Sequence, residues 1–185
     1  MKQYLFPAIK LTLACIVVFC GLYTLLILGI AQAAPARGEG QTVTANGKKA
    51  GYQLEGQSFT ADRYFNGRPS AAGYNAAGSS GSNKGPSNPD YLKTVSDRID
   101  SFLVHNPAIK KSDIPSDLVT ASGSGLDPDI SLQGALVQVE RIAKERNMAK
   151  QKLIDLIGNT KERSVMNGIE KVNVLQLNIA LDKLK

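Results

Sequence analysis

The sequence predicts an α+β protein, in which one N-terminal transmembrane helix is followed by a single mixed α/β exported domain with long ordered Gly/Ser/Asn-rich loops. Three observations lead to this prediction. A long apolar run lies near the N-terminus, helical and short β-type patterns fill the second half, and a stretch without apolar periodicity separates them. We therefore expect a membrane anchor over residues 1–33, a linker and the start of a hairpin over 34–50, and a soluble domain over 51–185.

The N-terminal run from Leu11 to Ala31 contains 21 residues without a charge. As a helix it would extend about 31 Å, close to the hydrocarbon thickness of a bilayer. A cleaved signal peptide is the alternative, because Lys2 and Lys10 precede the run and Ala31-Gln32-Ala33 resembles a cleavage site. An anchor is favoured, since a signal core has only ~7–15 apolar residues. Both interpretations export the remaining chain. The positive charges before the run, Lys2, Lys10 and the amino terminus, are set against Arg37, Lys48 and Lys49 after it, and this small difference favours an internal N-terminus.

Composition gives no support for a disulfide, a cysteine metal site or nucleic acid binding in the exported part. Cys15 and Cys20 both lie in the apolar run and point to different helix faces, so we expect neither a disulfide nor a metal pair. The exported part must then be stabilised by packing alone. Without Lys2 and Lys10 it carries 20 of the 22 basic residues against 16 acidic residues, and this net charge of +4 gives no argument for nucleic acid binding.

Turn and loop signals dominate the first half of the exported part. Asn46-Gly47 separates two short segments of mixed β character and predicts a hairpin turn. Residues 64–91 are rich in Gly, Ser, Asn, Ala and Pro. A flexible linker between two domains is one interpretation. A long, ordered, functional loop is favoured, because the flanking segments are too small to be domains and aromatic residues punctuate the stretch.

Helical patterns dominate the second half. Asn88-Pro89 predicts a helix start and Asn106-Pro107 its end, with one apolar stripe between them. A second helix is expected from Ser131, which would cap it. Three of its charged side chains are expected to face mainly solvent: Arg141, Lys144 and Glu145.

The last elements are a third helix, an extended segment and a closing helix. Asn147 is expected to cap the third helix. Val172 and Val174 suit an extended segment, while the apolar spacing from Val174 to Leu184 suits a helix.

No catalytic residue and no metal ligand set is predicted. His105 is the only histidine of the chain, and near a helix end it is expected to interact with the terminal carbonyls. Zinc is disfavoured because no cysteine or second histidine can join it. Ser122-Gly123-Ser124-Gly125 lacks the strand–serine–helix context of a nucleophile elbow.

Two further loops resemble ligand sites only superficially. Asp127-Pro128-Asp129 could suit Ca²⁺, but Ile130 and Leu132 stand where further oxygen ligands would be needed, so a turn before the Ser131 cap is favoured. The segment from Gly78 to Gly85 lacks the GKS or GKT order of a phosphate loop.

Three motifs nevertheless resemble one family. "YFNGRPSAAGYNAAGSSGSNKGPSNP", "DLVTASGSGLDPDIS" and "VNVLQLNIALD" occur in this order after one N-terminal span. They resemble the C subunit of the bacterial Kdp high-affinity potassium-transporting ATPase, over most of the chain from Gly56 to Asp182. The resemblance departs at Asn66, Asp129 and Gln176, where we expect Trp, His and an acidic residue.

The resemblance implies an accessory subunit in the bacterial inner membrane, with a single span, a cytoplasmic N-terminus and a periplasmic domain. Its implied partners are a channel-like potassium-carrying subunit, a P-type ATPase subunit and the lipid bilayer. The family is described as a catalytic chaperone that raises the affinity of the pump subunit for ATP. ATP is implied by that description alone, and a periplasmic domain could act on a cytoplasmic nucleotide only by allostery.

The resemblance also suggests which residues order the loops or contact partners, and it makes residues 119–131 a candidate docking surface. The rival hypothesis is a free-standing exported binding protein or hydrolase that uses Ser122, Ser124 or the aspartate pair. The candidates for interface or loop-ordering roles are Arg68, Asn75, Asn83, Ser122, Ser124, Asp127, Asn173, Gln176 and Asn178.

Overall fold

A computed structural model of the chain describes residues 2–163 and 168–184, in two units of residues 1–41 and 42–185. The first unit contains one apolar helix, which consists of α1 (Lys2–Cys15), a π-helical stretch (Ile16–Leu22) and α2 (Tyr23–Ala33). Its 31 residues from Gln3 to Ala33 have a mean hydropathy of 2.7 over the most apolar window, and no residue of that window is buried. The predicted long apolar N-terminal helix is therefore confirmed, and it is long enough to cross a bilayer.

The second unit begins with a hairpin of β1 (Thr42–Ala45) and β2 (Lys48–Tyr52). Its turn is formed by Asn46 and Gly47, with φ angles of 51° and 74°. Two successive positive φ angles give the turn type whose twist matches that of antiparallel strands. The hairpin turn that the sequence predicts at Asn46-Gly47 is therefore confirmed.

A three-stranded antiparallel sheet contains β3 (Asp129–Ser131), β4 (Glu162–Arg163) and β5 (Glu170–Asn173), in the order β3-β5-β4. Ile130 of β3 pairs with Val172 of the central strand, and both side chains are almost completely buried. The described part of the second unit is therefore a mixed helix and sheet domain, which confirms the coarse fold class.

Five α-helices complete this unit among the described residues. They are α3 (Pro89–His105), α4 (Leu132–Leu136), α5 (Val139–Glu145), α6 (Lys150–Thr160) and α7 (Val174–Lys183). Asn88 caps α3 by accepting a hydrogen bond from the Tyr91 N–H, and Ser131 caps α4 in the same way through Gly134. Val174 is the first residue of α7 rather than part of the strand, because Asn173 already caps the helix.

Two details of the predicted helices are wrong. The helix expected from Ser131 is interrupted after Leu136 and continues as α5, so a single helical wheel does not describe it. Asn147 does not cap the next helix: it has a φ of 51° and ends α5. The N–H groups of Asn147 and Met148 bond to the carbonyls of Lys144 and Ala143, the pattern of a Schellman motif, in which Asn tolerates the left-handed conformation.

The core lies where α6 packs against α5 and α7, next to the central strand. Its completely buried apolar side chains come from loops, strands and helices alike. They include Phe65, Ile142, Leu153, Ile157, Val172, Leu177 and Leu181. By contrast, α3 has no fully buried residue, although Phe102 packs against the core.

Candidate functional site

Two loops from distant parts of the sequence lie against each other. The N–H of Ser122 donates to the carbonyl of Pro69 at 3.2 Å. The hydroxyl of Ser70 donates to the carbonyl of Gly125 at 2.7 Å, and the hydroxyl of Ser79 donates to the carbonyl of Ser124 at 2.9 Å. We call residues 66–81 and 119–129 together the paired-loop surface.

Two glycines allow this close approach. Gly125 has a φ of 70°, and a Cβ added there would lie 2.8 Å from the carbonyl oxygen of Ser80. A Cβ at Gly81 would lie 2.9 Å from the carbonyl oxygen of Gly123. Any larger residue at either position would push the two loops apart, so the glycines serve the contact between the backbones.

Arg68 and Asp127 form an ion pair across the paired-loop surface. Arg68 Nη1 lies 2.9 Å from Asp127 Oδ2, and about a quarter of each side chain is exposed. The other oxygen of Asp127 accepts the N–H of Asp129 at 3.1 Å. Arg68 Nε is buried and makes no hydrogen bond among the described residues. The carboxylate therefore both fixes its own turn and holds the arginine of the opposite loop.

Tyr74 adds a third connection within the first loop. Its hydroxyl donates to the carbonyl of Arg68, and its N–H donates to the hydroxyl of Ser70 at 2.9 Å. Burial raises the pKa of the Tyr74 hydroxyl, and the nearby Asp127 carboxylate raises it further. Tyr74 consequently keeps its proton and remains a donor at neutral pH.

Charged side chains line a concavity of about 570 Å³ beside this surface. Lys171 Nζ lies 2.5 Å from Asp129 Oδ2, and this hydrogen bond raises the pKa of Lys171. Asp117 accepts hydrogen bonds from the N–H and the hydroxyl of Ser131, at 2.7 and 3.1 Å. Among the described residues, no group of three His, Cys, Asp or Glu side chains could hold a metal ion. Asp129, which replaces an expected histidine, therefore acts here as a carboxylate partner of lysine.

The remaining predicted residues lie in three different places. Asn173 accepts the Gln176 N–H at the start of α7 and donates to the carbonyl of Gln53 at 2.8 Å. Asn178 lies in the core, where its amide makes two hydrogen bonds of 2.9 Å with the backbone N–H and carbonyl of Phe65. The first turn of α7 is joined to the paired-loop surface, because the Val174 N–H bonds to the carbonyl of Pro128 at 2.9 Å.

The two exposed asparagines belong to the first loop and its continuation. Asn75 accepts the Ala77 N–H and so begins a short 3₁₀ turn. Asn83 has a φ of 53°, a conformation that Asn tolerates better than most residues. The structure thus brings Arg68, Ser122 and Asp127 together in the paired-loop surface, whereas Asn178 is buried and bonds to the backbone of Phe65.

Sequence reasoning missed a buried polar network around Arg141. This side chain was expected to face solvent, but it is only 3% exposed, because α5 is buried on more than one face. Its guanidinium donates to Asn106 Oδ1 at 3.0 Å, Asn66 Oδ1 at 2.9 Å and Gln138 Oε1 at 2.7 Å. It also donates to the carbonyls of Asp62 and Tyr64.

This network fixes the start of the first loop. Gln138 Oε1 accepts a hydrogen bond from the Asn66 N–H at 2.8 Å, and Gln138 Nε2 donates one to the Asn66 carbonyl at 3.1 Å. Burial lowers the pKa of Arg141, and the carboxylates of Asp62 and Glu145 oppose that shift. The departure from the family pattern at Asn66 was the one sequence signal that pointed to this region.

Among the described residues, the two serines of the second loop and the histidine at the end of α3 have other partners than one another. The side chain of His105 faces Asp62, with 2.8 Å between Nδ1 and Oδ1, and Asn106 rather than His105 bonds to a carbonyl at the end of α3. Ser122 is 3% exposed, and the hydroxyl of Ser124 accepts the N–H of Leu126. Neither serine hydroxyl bonds to the histidine among the described contacts.

Comparison with known proteins gives one consistent result. Residues 5–183 match the family model described as "KdpC: K+-transporting ATPase, c chain". A protein of Flavobacterium johnsoniae named potassium-transporting ATPase KdpC subunit is 57% identical over 181 residues, which cover 98% of both chains. Proteins with the same name from Bacteroides fragilis and Bacillus cereus are 49% and 46% identical, over 98% and 99% of this chain and 97% of each relative.

Proposed function

The chain belongs to the KdpC family, the c chain of the K⁺-transporting ATPase, and from this premise we propose that it is the accessory subunit that stabilises the assembly of the complex. Membership in a potassium-transporting ATPase and the one N-terminal apolar helix found among the described residues fit a single-pass protein of the inner membrane. In this role the chain itself catalyses no covalent step. It acts through contact with its partners, a channel-like potassium-carrying subunit and a P-type ATPase subunit.

The paired-loop surface is the observation that carries this proposal. The irregular backbone of this surface is held in a fixed shape by three kinds of contact. These are the hydrogen bonds between the two loops, the ion pair of Arg68 with Asp127 and the buried network at Arg141. Meanwhile the segment from Asn75 to Ser80 is exposed on the outside. A fixed, exposed loop is what a docking site requires, because little conformational entropy is lost on binding.

The orientation of the chain determines how it can influence ATP. We propose a cytoplasmic N-terminus and a periplasmic domain, in keeping with Lys2 and Lys10 before the span. A periplasmic domain cannot touch a cytoplasmic nucleotide. Any effect on ATP affinity must then be a coupling free energy transmitted through the complex, typically about 1–3 kcal/mol.

A bulky residue on the exposed loop tests the docking role without disturbing the core. Ala77→Trp adds a large side chain at an exposed position, and Lys111→Trp is the matched control at another exposed position. Each variant would be expressed with the partner subunits, and the complex purified from detergent-solubilised membranes. We expect Ala77→Trp to reduce retention of this chain in the complex and Lys111→Trp to leave it unchanged. Equal retention of both variants would contradict the proposal, and hydrolytic activity of the isolated chain would favour the rival hypothesis.

A further inference from the structure

The tip of the β1–β2 hairpin is an exposed basic projection. We define the hairpin tip as residues 45–49, in which Asn46, Gly47, Lys48 and Lys49 are all exposed. None of the residues of the two strands is fully buried. An isolated two-stranded hairpin is marginally stable in water, so this element is expected to rely on contacts outside the pairing of its own strands.

Only the base of the hairpin is attached to the rest of the second unit by the described contacts. A Cβ at Gly51 would collide with the Gln57 amide and lie 3.2 Å from a methyl group of Leu175, so this part of β2 is closely packed. Gln57 Nε2 also donates to the carbonyl of Ala50 at 3.3 Å. The tip, at the other end of the strands, makes no such contact among the described residues and is free to meet another surface.

The charges at the tip are not neutralised within the described part of the chain. Neither Lys48 nor Lys49 forms an ion pair with a described carboxylate, whereas Lys150, Lys161 and Lys171 each do. The ammonium of Lys49 lies 3.7 Å from the ring centroid of Tyr52. This cation–π contact keeps the charge beside an aromatic ring, and tyrosine is a residue type enriched at membrane interfaces.

The covalent connection limits how far the first residue of the hairpin can be from the end of α2. Residues 34–41 separate the end of α2 from the first residue of β1. Eight residues can span at most about 28 Å even when fully extended. A tether this short permits the tip to reach the headgroups around the helix, and linkage within one chain favours a contact too weak to form between separate molecules.

We propose that the hairpin tip binds the anionic headgroups of the membrane in which the N-terminal helix is inserted. Lys48 supplies an ammonium group that forms no ion pair among the described residues, and Lys49 with Tyr52 supplies a charge and an interfacial ring. A lysine near an anionic membrane surface gains about 1 kcal/mol, or a factor of about five in the bound population. The contact is therefore weak for each lysine, depends on salt, and requires anionic rather than zwitterionic lipid.

Hydrogen exchange of the full chain tests this contact. The protein is inserted in nanodiscs of phosphatidylcholine alone or of phosphatidylcholine with phosphatidylglycerol, and exchange of the amides in residues 42–52 is followed by mass spectrometry. We expect exchange to slow by about five-fold or more in the anionic nanodiscs, and this slowing to disappear at high salt. Exchange in the core helix α6 is expected to be the same in both lipids.

Two double variants make the test specific. Lys48→Gln with Lys49→Gln is expected to abolish the slowing, while Lys110→Gln with Lys111→Gln removes another exposed adjacent lysine pair and is expected to preserve it. Equal exchange of both variants and the wild type in phosphatidylcholine shows that the hairpin remains folded. Identical exchange of the wild type in both lipids would overturn the proposal. So would slowing that survives in the first variant. The isolated chain is used, so the outcome is independent of its role in assembly.

Discussion

The ion pair between Arg68 and Asp127 is expected to be worth more than an ordinary surface pair. Both side chains are about three-quarters buried, and Arg68 Nε already lacks a partner among the described residues. Removing the carboxylate would leave the guanidinium in the paired-loop surface with its Nη1 donor unpaired as well. It would also release the N–H of Asp129, which Asp127 accepts.

The expected magnitudes follow from these contacts. A hydrogen bond to a charged group contributes about 1.5–3 kcal/mol, and partial exposure reduces the interaction of this pair to about 1–2 kcal/mol. Arg68→Ala is therefore expected to lower the free energy of unfolding by about 1–2 kcal/mol. Asp127→Ala is expected to cost about 2–3 kcal/mol, because it also removes the bond to Asp129. The double variant should be less destabilised than the sum of the two single variants.

A double-mutant cycle measures this coupling. The free energy of unfolding would be obtained from urea-induced loss of far-ultraviolet circular dichroism, with the full chain in detergent micelles. The control cycle uses Lys93 and Asp97, an exposed pair on α3 at 2.8 Å, whose coupling is expected to be small. If the coupling of Arg68 with Asp127 were no larger than that of the control pair, burial would not have strengthened the interaction and the reasoning would be wrong.

Three further expectations concern the core, the paired-loop surface and pH. Asn178→Ala should lower the free energy of unfolding by about 3 kcal/mol in the same assay, because it leaves the backbone N–H and carbonyl of Phe65 unpaired. Ser124→Ala should leave potassium-dependent ATPase activity of the assembled complex within a few-fold of normal; loss of turnover in a fully assembled complex would contradict the non-catalytic role. The raised pKa of Tyr74 means that the folded chain holds the hydroxyl proton more tightly than the unfolded chain. The contribution of this proton to the free energy of unfolding is therefore complete below the ordinary pKa of 10.0, and it is lost as the pH rises through the pKa of the folded state. Thermal unfolding above pH 10 should therefore depend less on pH in Tyr74→Phe than in the wild type.

Local patterns in the sequence were sufficient for features that depend on neighbouring residues. The uncharged run predicted the apolar helix, because hydropathy is a property of a continuous segment. Asn46-Gly47 predicted the hairpin turn, and Asn88-Pro89 predicted the start of α3, since turn and cap geometry are decided within a few residues. The same local reasoning failed at Asn147, where a cap residue serves equally well to end one helix or to begin the next.

Contacts between distant segments were decided by the tertiary structure alone. A helical wheel placed Arg141 toward solvent, but all its named partners except Gln138 come from residues 62–66 and from Asn106, which no periodicity connects with α5. Likewise, the sequence marked Arg68 as a candidate for ordering the loops, and only the fold selected Asp127, 59 residues away, as its partner. A buried guanidinium is stable only where several acceptors converge on it, and that convergence is created when the chain closes long loops. The sequence alone thus determined the apolar helix, the hairpin turn and the caps at Asn88 and Ser131, whereas the tertiary structure determined which polar groups meet and hold the paired-loop surface in shape.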